Sequence, residues 1–260
     1  MAAGSRDGTL LIWFGVEVVI DTRHHAAVTC LCALEDGHWA SGDAAGVVII
    51  RNRDGVSCGL QFPSSVHALR GLAAGLLAVG TRDGVVFIHE RPSWAQLPSQ
   101  LRAYDHPRLA PVLCVAGLPG GGVVSAGVGG SMMQLASLDA TPSPLVGHTS
   151  RVRCLLVLED GSLVSASRDT TVRRWRQGTG TGLCCEHTLR GHNAEVAALA
   201  ELGADGVLAS GAADAEVRLW VGPTCIRILR GHTSPVDAIV ALAGGLLASG
   251  GRSDVVRLWV

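Results

Sequence analysis

The sequence contains no lysine, and all 21 of its basic residues are arginine. Together with 22 acidic residues they give a formal net charge of −1. That balance argues against a broad basic surface for nucleic acid or an anionic membrane. No apolar run reaches the ~18 residues that a membrane-spanning helix needs. Because the first residues enter a repeat at once, we expect no signal peptide. Arginine alone offers planar, bidentate pairing with carboxylates and phosphates.

Cysteine is present, but not at metal-binding or disulfide-framework spacing. There is no Cys-x-x-Cys pair, and most cysteines lie in apolar alternations such as residues 28–33. This pattern predicts buried thiols in a reducing compartment, and therefore a cytoplasmic or nuclear protein without a metal site. The eight cysteines are Cys30, Cys32, Cys58, Cys114, Cys154, Cys184, Cys185 and Cys225.

What the sequence does contain is one segment several times over, with a period of about 40 residues. The clear copies are 165–175, 210–220 and 249–259, and each is preceded by Gly-His, at 147–148, 191–192 and 231–232. A weaker copy, 3–13, opens the chain. Such a period is typical of one supersecondary unit repeated in a stacked or radial array.

Read with a period of two, the fifth copy predicts four strands, at 152–158, 162–167, 171–175 and 183–189. Short turns with glycine or aspartate separate the strands, which indicates an antiparallel meander. Seven third strands, ending at 13, 51, 89, 135, 175, 220 and 259, predict seven such units. A radial array of these is a β-propeller. We expect an all-β protein in which residues 1–260 form a single domain.

The repeats resemble the WD40 family, whose units carry Gly-His before the first strand, then Ser, Asp and a terminal Trp. The resemblance covers essentially the whole chain and is most specific in units five to seven. No Trp is followed by the Asp that names the family. In units two to four the Trp position holds Arg51, His89 and Leu135.

Two arrangements of the ends stay open. Residues 16–22 form either the outer strand of unit one, giving seven blades with an incomplete first and last, or the outer strand of the last unit, giving six full blades. We favour seven, because residues 3–13 read as a second and third strand joined by a turn. The irregular segment 91–107 is either a loop insertion or a poorly formed outer strand.

Ser, His and Asp recur together, which first suggests a catalytic triad. A nucleophile would need one special copy with an oxyanion hole, whereas this set repeats at nearly constant spacing. The resemblance implies a structural hydrogen-bond network instead, with no catalytic, cofactor or metal site. Its members are His148, Ser165, Asp169, Trp175, His192, Ser210, Asp214, Trp220, His232, Ser249 and Trp259. His24-His25 and His106 stand near the Gly-His positions of units two and four, and Ser253 at the Asp position should weaken unit seven.

One surface feature suggests a binding role. Arg6, Arg82, Arg168 and Arg252 precede the turn Asp, or its equivalent, in four units. In a propeller these turns share one face, to which Arg151 adds a further charge. These turn arginines either serve only as polar residues on exposed turns, or they bind acidic or phosphorylated segments of other proteins.

The resemblance implies a non-catalytic scaffold or adaptor that presents loops to protein partners. A substrate-recognition or ubiquitin-binding subunit of a ubiquitin-pathway complex is one alternative, and a ribosome or RNA-processing assembly factor is another. We expect no enzyme activity, no cofactor or small-molecule substrate, and neither membrane nor nucleic acid as partner. Fold alone does not establish any of these functions.

Overall fold

A computed structural model describes residues 2–14, 17–34, 37–52, 55–72, 75–90, 99–180, 182–203, 206–253 and 255–260. In this part of the chain the regular structure consists of antiparallel strands and three single 3-10 turns, at Pro107–Leu109, Val128–Gly130 and Ala243–Gly245. The described residues include no helix that is long and apolar enough to cross a membrane. The strands form seven separate sheets, and in each one the strands are neighbours in chain order.

The first three sheets lie in the N-terminal part of the chain. The first sheet has three strands, β1 (Ala2–Gly4), β2 (Leu10–Phe14) and β3 (Glu17–Asp21). The second sheet contains β4 (Val28–Ala33), β5 (Trp39–Asp43), β6 (Val47–Asn52) and β7 (Gly55–Gln61). The third sheet contains β8 (Val66–Gly71), β9 (Leu76–Thr81), β10 (Val85–Glu90) and β11 (Ser99–Asp105).

Four further sheets follow. The fourth contains β12 (Val112–Gly117), β13 (Val123–Gly127), β14 (Met132–Leu135) and β15 (Ser143–Pro144). The fifth contains β16 (Val152–Val157), β17 (Leu163–Ser167), β18 (Val172–Gln177) and β19 (Leu183–Leu189). The sixth contains β20 (Val196–Leu202), β21 (Val207–Ala212), β22 (Glu216–Val221) and β23 (Thr224–Arg230). The seventh has three strands, β24 (Val236–Ala241), β25 (Leu247–Gly251) and β26 (Val256–Trp259).

The all-β fold class is confirmed, and the sheets match the seven units predicted from the sequence. Strand β3 pairs with β2, so residues 17–21 complete the first sheet and leave the seventh with three strands. The later part of the irregular segment forms the outer strand β11, which pairs with β10, whereas residues 91–98 lie outside the described part. The number of blades stays a prediction.

The chain divides into two compact units. The first comprises residues 1–117, 123–125 and 137–139, and the second comprises 118–122, 126–136 and 140–260. Each has apolar clusters of its own: one in the first unit includes Ile50, Phe62 and Leu77, and one in the second includes Val164 and Trp220. The expectation that residues 1–260 form a single domain stays a prediction.

The second strand of a sheet is the most deeply buried. Every residue of β9, β13 and β17 is buried, because neighbouring strands pair with both edges and the two faces are covered. This explains their continuous run of small and apolar residues. In a sheet with one solvent-exposed face, polar and apolar residues would instead alternate along the strand. The few polar side chains on these strands therefore require hydrogen-bond partners inside the protein.

Candidate functional site

The fifth and sixth sheets each contain a continuous chain of side-chain hydrogen bonds. In the fifth sheet Trp175 Nε1–H donates to Ser165 Oγ at 2.8 Å. Ser165 in turn lies 2.8 Å from His148 Nε2, and His148 Nδ1 lies 2.7 Å from an Asp169 carboxylate oxygen. The order of donors fixes the histidine as the neutral tautomer with its proton on Nδ1. The polar groups of these four side chains thereby all have hydrogen-bond partners.

The sixth sheet repeats this geometry with nearly identical distances. Trp220 Nε1 lies 2.8 Å from Ser210 Oγ, which lies 2.8 Å from His192 Nε2. His192 Nδ1 is 2.9 Å from Asp214. The structure therefore brings together the residues that the sequence grouped in units five and six.

This arrangement has triad-like distances but cannot present a nucleophile. Ser165 and Ser210 are 0% exposed, and each hydroxyl lies between an indole N–H and an imidazole nitrogen. A substrate carbonyl has no route to either oxygen. The network instead anchors the turn that follows, since Asp169 also accepts the backbone N–H groups of Thr149 and Thr171.

Burial and pairing have opposite effects on each pKa within the network, and the net shift is downward for the histidines and for the aspartates. Burial lowers the pKa of His148 and of His192, and the adjacent aspartates only partly oppose this effect. Hydrogen bonds from Thr171 and His148 outweigh the desolvation of Asp169 and lower the pKa of that carboxyl to about 2. Each pair is thus a neutral imidazole hydrogen-bonded to a carboxylate.

The seventh sheet has a shorter version of the network. Trp259 Nε1–H donates to Ser249 Oγ at 2.7 Å, and Ser249 lies 2.7 Å from His232 Nε2. Among the described residues no acceptor reaches the buried Nδ1 of His232, because Ser253 occupies the Asp position. Asp254, the next residue, lies outside the described part.

The second sheet contains a network that the sequence reasoning found only in part. His24 Nε2 lies 2.7 Å from Ser41 Oγ, and His24 Nδ1 lies 2.8 Å from Asp43. Asp43 stands two residues before the expected Asp position, yet its carboxylate still accepts the turn N–H groups of Ala45 and Val47. The sequence signal for this network was the aspartate at the end of a strand, because a buried charge there needs hydrogen-bond partners.

In the same sheet Arg51 takes the place of tryptophan. It is buried, and its Nη1 donates to Asp21 at 2.5 Å. Its guanidinium carbon lies 4.7 Å from the centre of the Trp39 ring. The aromatic side chain missing from the third strand is thus supplied by the second strand, and the cation stacks on it.

The fourth sheet replaces tryptophan with the chain's only tyrosine. Tyr104 O–H donates to Ser125 Oγ at 3.1 Å, and Ser125 lies 2.6 Å from His106 Nε2. The Trp position itself holds the buried Leu135. Because Tyr104 comes from β11 of the preceding sheet, no fixed spacing within a repeat could have predicted this contact.

The third sheet has lost the polar chain altogether. Phe62 and Val79 stand at the His and Ser positions, and both are buried. The Phe62 ring lies 5.1 Å from that of Phe87 and meets His89 edge to face at 5.4 Å. The His and Ser positions thus became apolar together, which leaves neither hydroxyl nor imidazole at these two sites.

The predicted partner-binding arginines lie on turns held by backbone hydrogen bonds. Arg168 N donates to Arg151 O at 2.9 Å, and Ser167 Oγ donates to the same carbonyl at 2.9 Å. Arg82 N donates to Ser65 O at 2.9 Å. Arg6, in the turn between β1 and β2, is exposed, as are Arg82, Arg168 and Arg252, whereas Arg151 is half-buried.

These arginines differ in how far their charge is compensated. Arg252 Nε lies 3.1 Å from Asp237. Within the described part of the chain, no ion pair includes Arg151 or Arg168. The hydrogen bond between their backbones makes these two residues neighbours in the second unit. Arg82 faces a second basic group, since its charge adds to burial in lowering the pKa of His67.

The expectation that the cysteines are buried was wrong for Cys184 and Cys185, which are exposed on the outer strand β19, and the other six are only half-buried. Outer strands have a neighbour on one edge only, and the apolar alternation did not separate them from inner strands. Burial does raise the pKa of Cys30, to about 12. All eight cysteines lie in the described residues, and no disulfide joins them. The described part contains no cluster of His, Cys, Asp or Glu that could hold a metal ion.

The fold and the repeated network define a class, a repeat protein of three- or four-stranded antiparallel sheets, of which the fifth and sixth contain the complete chain of Trp–Ser–His–Asp hydrogen bonds. Residues 141–176, 183–221 and 223–260 match the family model described as "WD domain, G-beta repeat". These three segments therefore carry WD40 repeats, and the resemblance seen in the sequence is confirmed. The seven small antiparallel sheets are of the kind that WD40 β-propellers contain.

Two curated proteins are similar to the chain. Pre-mRNA-processing factor 19 homolog 2 of Arabidopsis thaliana is 29% identical over 123 residues, which is 45% of this chain and 23% of that protein. The sterol regulatory element-binding protein cleavage-activating protein of Xenopus laevis is 27% identical over 228 residues, 76% of this chain and 17% of that protein. The chain thus spans less than a quarter of the length of either relative.

Proposed function

We propose that the chain is a non-catalytic interaction scaffold that binds acidic or phosphorylated segments of partner proteins through its turn arginines. WD40 repeats imply a protein-interaction scaffold in general, and the arginines indicate which chemical groups of a partner this scaffold would bind. The observation that carries the proposal is the pair Arg151 and Arg168, two residues joined by a backbone hydrogen bond and without a carboxylate partner in the described residues. Bidentate hydrogen bonding suits such groups to carboxylates and phosphates.

The turn that bears Arg168 is held in place before any partner arrives. Ser167, Asp169 and Thr171 fix it through the contacts described above, and Asp169 N donates to Ser167 Oγ at 3.1 Å. Little backbone entropy is then lost on binding, which favours a useful contribution from each arginine. Arg252 occupies the equivalent turn of the seventh sheet in the same unit, and Arg6 and Arg82 occupy the equivalent turns of the first unit, so we include them among the proposed binding residues.

The test is a charge reversal, Arg168→Glu, read on an array of acidic and phosphoserine peptides. We expect the wild-type chain to bind a subset of these peptides and the variant to lose most of that binding. Stability should change by less than ~0.5 kcal/mol, because the side chain is exposed. Binding by the wild type should weaken with salt.

The matched control is Arg227→Glu, which makes the same charge change at an exposed position of the outer strand β23. This variant should bind the array like the wild type. If both reversals reduce binding equally, net charge rather than the turn surface governs recognition, and the proposal fails. Asp160 is unsuitable as a control because it pairs with Arg174 at 2.5 Å and Arg176 at 2.7 Å.

A role in RNA processing is the second candidate, and the name of the Arabidopsis relative supports it. In that role the chain would hold proteins together within a pre-mRNA-processing assembly. Affinity purification from nuclear and cytoplasmic extracts, followed by mass spectrometry, tests this candidate together with the cytoplasmic or nuclear location we propose. The ubiquitin-pathway alternative stays a prediction, and the same partner list would reveal it.

A further inference from the structure

The segment that leads into the fourth sheet is two residues longer than its counterparts. His106 stands six positions before β12 begins at Val112, whereas the residue at the same place in five other sheets stands four positions before the first strand. These shorter pairs are His24–Val28, Phe62–Val66, His148–Val152, His192–Val196 and His232–Val236. The longer segment forms the turn Pro107–Leu109. Insertions into one unit of a repeat protein are often binding elements.

Leu109 ends this turn in a conformation that leucine disfavours. Its φ is 51°, in the left-handed region, and the residue is 58% exposed. The turn is held by its own backbone, since Leu109 N donates to His106 O at 3.0 Å. Burial of the side chain offsets little of the strain, because more than half of the residue faces solvent. A strained, exposed apolar residue suggests a function outside the fold.

The inserted turn presents a small apolar surface. Pro107 and Leu109 are exposed, and the following Ala110 and Pro111 are half-buried. The two prolines restrict the backbone, so the turn loses little conformational entropy when a partner binds. Such a surface suits contact with an aliphatic side chain of another protein.

This apolar turn lies against the turn that bears Arg82. His106 N donates to Gly84 O at 2.7 Å, and a Cβ atom on Gly84 would lie only 2.7 Å from Leu109 Cα. Arg82 stands two positions before Gly84 and is exposed. An exposed apolar residue and an exposed cation therefore belong to two turns in backbone contact, both within the first unit.

The charges around Arg82 favour a carboxylate over a phosphate. Burial lowers the pKa of His67, and the charge of Arg82 lowers it further, so this imidazole is neutral at pH 7. Two carboxylates belong to the same turns, that of the half-buried Asp83 and that of the exposed Asp105. A phosphate dianion would be repelled by both, whereas a single negative charge matches the single guanidinium.

We propose that Leu109 and Arg82 together bind a short segment of another protein in which an aliphatic residue stands next to an aspartate or glutamate. Leu109 contacts the aliphatic side chain, and the guanidinium N–H groups of Arg82 donate to the carboxylate. This inference rests on the proposed function and narrows it, for the first unit, from anionic segments in general to an aliphatic–acidic pair.

An array of short labelled peptides, each with one glutamate in a Gly-Ser background, tests the partner class. Peptides with leucine, isoleucine or valine beside the glutamate should bind the 260-residue chain at least about tenfold more tightly than peptides with serine there. Glutamine in place of the glutamate should remove the binding, and phosphoserine in that place should bind more weakly than glutamate. Fluorescence anisotropy measures the affinities.

Leu109→Gly separates a binding role from a structural one. Glycine adopts the left-handed conformation without strain, so this variant should resist urea about as well as the wild type. It should nevertheless bind the aliphatic peptides at least about tenfold more weakly. Leu109→Met keeps an apolar side chain and should bind them like the wild type. The matched control is Leu242→Gly, at a leucine that is 42% exposed with φ −113°, which should also bind like the wild type.

The inference is overturned if aliphatic and serine peptides bind equally, if phosphoserine peptides bind more tightly than glutamate peptides, or if Leu109→Gly binds like the wild type. Binding that persists with glutamine in place of glutamate would contradict the proposed function as well. Binding of acidic peptides without preference for an aliphatic neighbour, and lost in Arg168→Glu, would overturn this inference alone and leave the proposed function standing.

Discussion

At the scale of single residues, Trp175 has two separable roles. Its side chain fills space within the fifth sheet, where it is 1% exposed, and its N–H completes the hydrogen-bond chain through Ser165. Trp175→Ala removes both, and we expect it to lower the free energy of unfolding by roughly 3–5 kcal/mol. Trp175→Phe keeps most of the volume and loses the donor, so its cost should be about 1–2 kcal/mol. Urea denaturation of the two variants measures the difference.

Trp259 provides the comparison for this prediction. It donates to Ser249 in the same way, but it is only half-buried. Trp259→Ala should therefore cost clearly less than Trp175→Ala. Equal losses at the two positions would show that the hydrogen bond, rather than buried volume, dominates, and would contradict this account. Trp94, in the irregular segment 91–107, lies outside the described residues.

A second prediction concerns His106. Burial lowers the pKa of His106 from 6.5 to about 4 in the folded chain. Below pH 6.5 the unfolded chain takes up a proton that the folded chain does not, so the free energy of unfolding falls with decreasing pH until about pH 4. Above pH 6.5 this loss is absent. Between pH 7 and pH 5 the contribution of this residue is about 2 kcal/mol.

Removing the titrating group tests this assignment. In His106→Gln the decrease in unfolding free energy between pH 7 and pH 5 should be smaller by about 2 kcal/mol, whatever the stability of the variant at pH 7. A His106→Gln slope equal to that of the wild type would contradict the prediction.

At the scale of elements, the turn between the second and third strands sets a backbone requirement. The residue five positions after the network Ser position has a positive φ, and it is Gly8, Gly46, Gly84 and Gly130 in the first four sheets. In the fifth and sixth sheets it is Thr170 at φ 68° and Ala215 at φ 65°. A side chain in this left-handed region costs free energy that glycine avoids.

We therefore predict that Ala215→Gly raises the free energy of unfolding, by about 0.5–1 kcal/mol. The same chemical change at Ala241, in β24, should lower it by at least about 0.5–1 kcal/mol, because glycine there adds freedom to the unfolded chain and removes a methyl group that packs against an apolar cluster. Denaturant titration of the two variants measures opposite signs. A loss of stability in both would show that the turn is not strained at Ala215.

The strands and their contacts also show how much of the fold and of the network can be predicted from the sequence. Strands β16 to β19 lie within about two residues of their predicted bounds, because alternation and turn residues are local signals. The Ser–His–Trp groups of units five to seven were recognised because their spacing repeats. Asp43 and Tyr104 were not, since each reaches its partner from an unexpected position, and the Tyr104 contact depends on the packing of two sheets. The contact of Arg51 with Trp39 was also missed, because the aromatic ring lies on the second strand of the sheet and not on the third.

At the scale of the whole molecule, charge is neutralised locally as well as overall. Asp160 and Glu186 bind Arg174 and Arg176 in one cluster on the fifth sheet. In the sixth sheet Glu216 binds Arg218 and Arg230. Arg151 and Arg168 have no such partner in the described residues, so their positive charge is not compensated locally. Two such charges suit a short acidic segment better than a long polyanion.

This distribution predicts that the chain itself does not bind RNA, even if it belongs to an RNA-processing assembly. Single strands are bound by long basic grooves with aromatic platforms, whereas Trp175, Trp220 and Tyr104 are buried. A labelled 20-nucleotide RNA at about 0.15 M salt should show a Kd weaker than ~10⁻⁴ M, the weak end of non-specific binding. The acidic peptides that bind the turn arginines serve as the positive control in the same preparation. Tight RNA binding with a steep salt dependence, lost in Arg168→Glu but not in Arg227→Glu, would show that the turn arginines bind nucleic acid rather than protein segments.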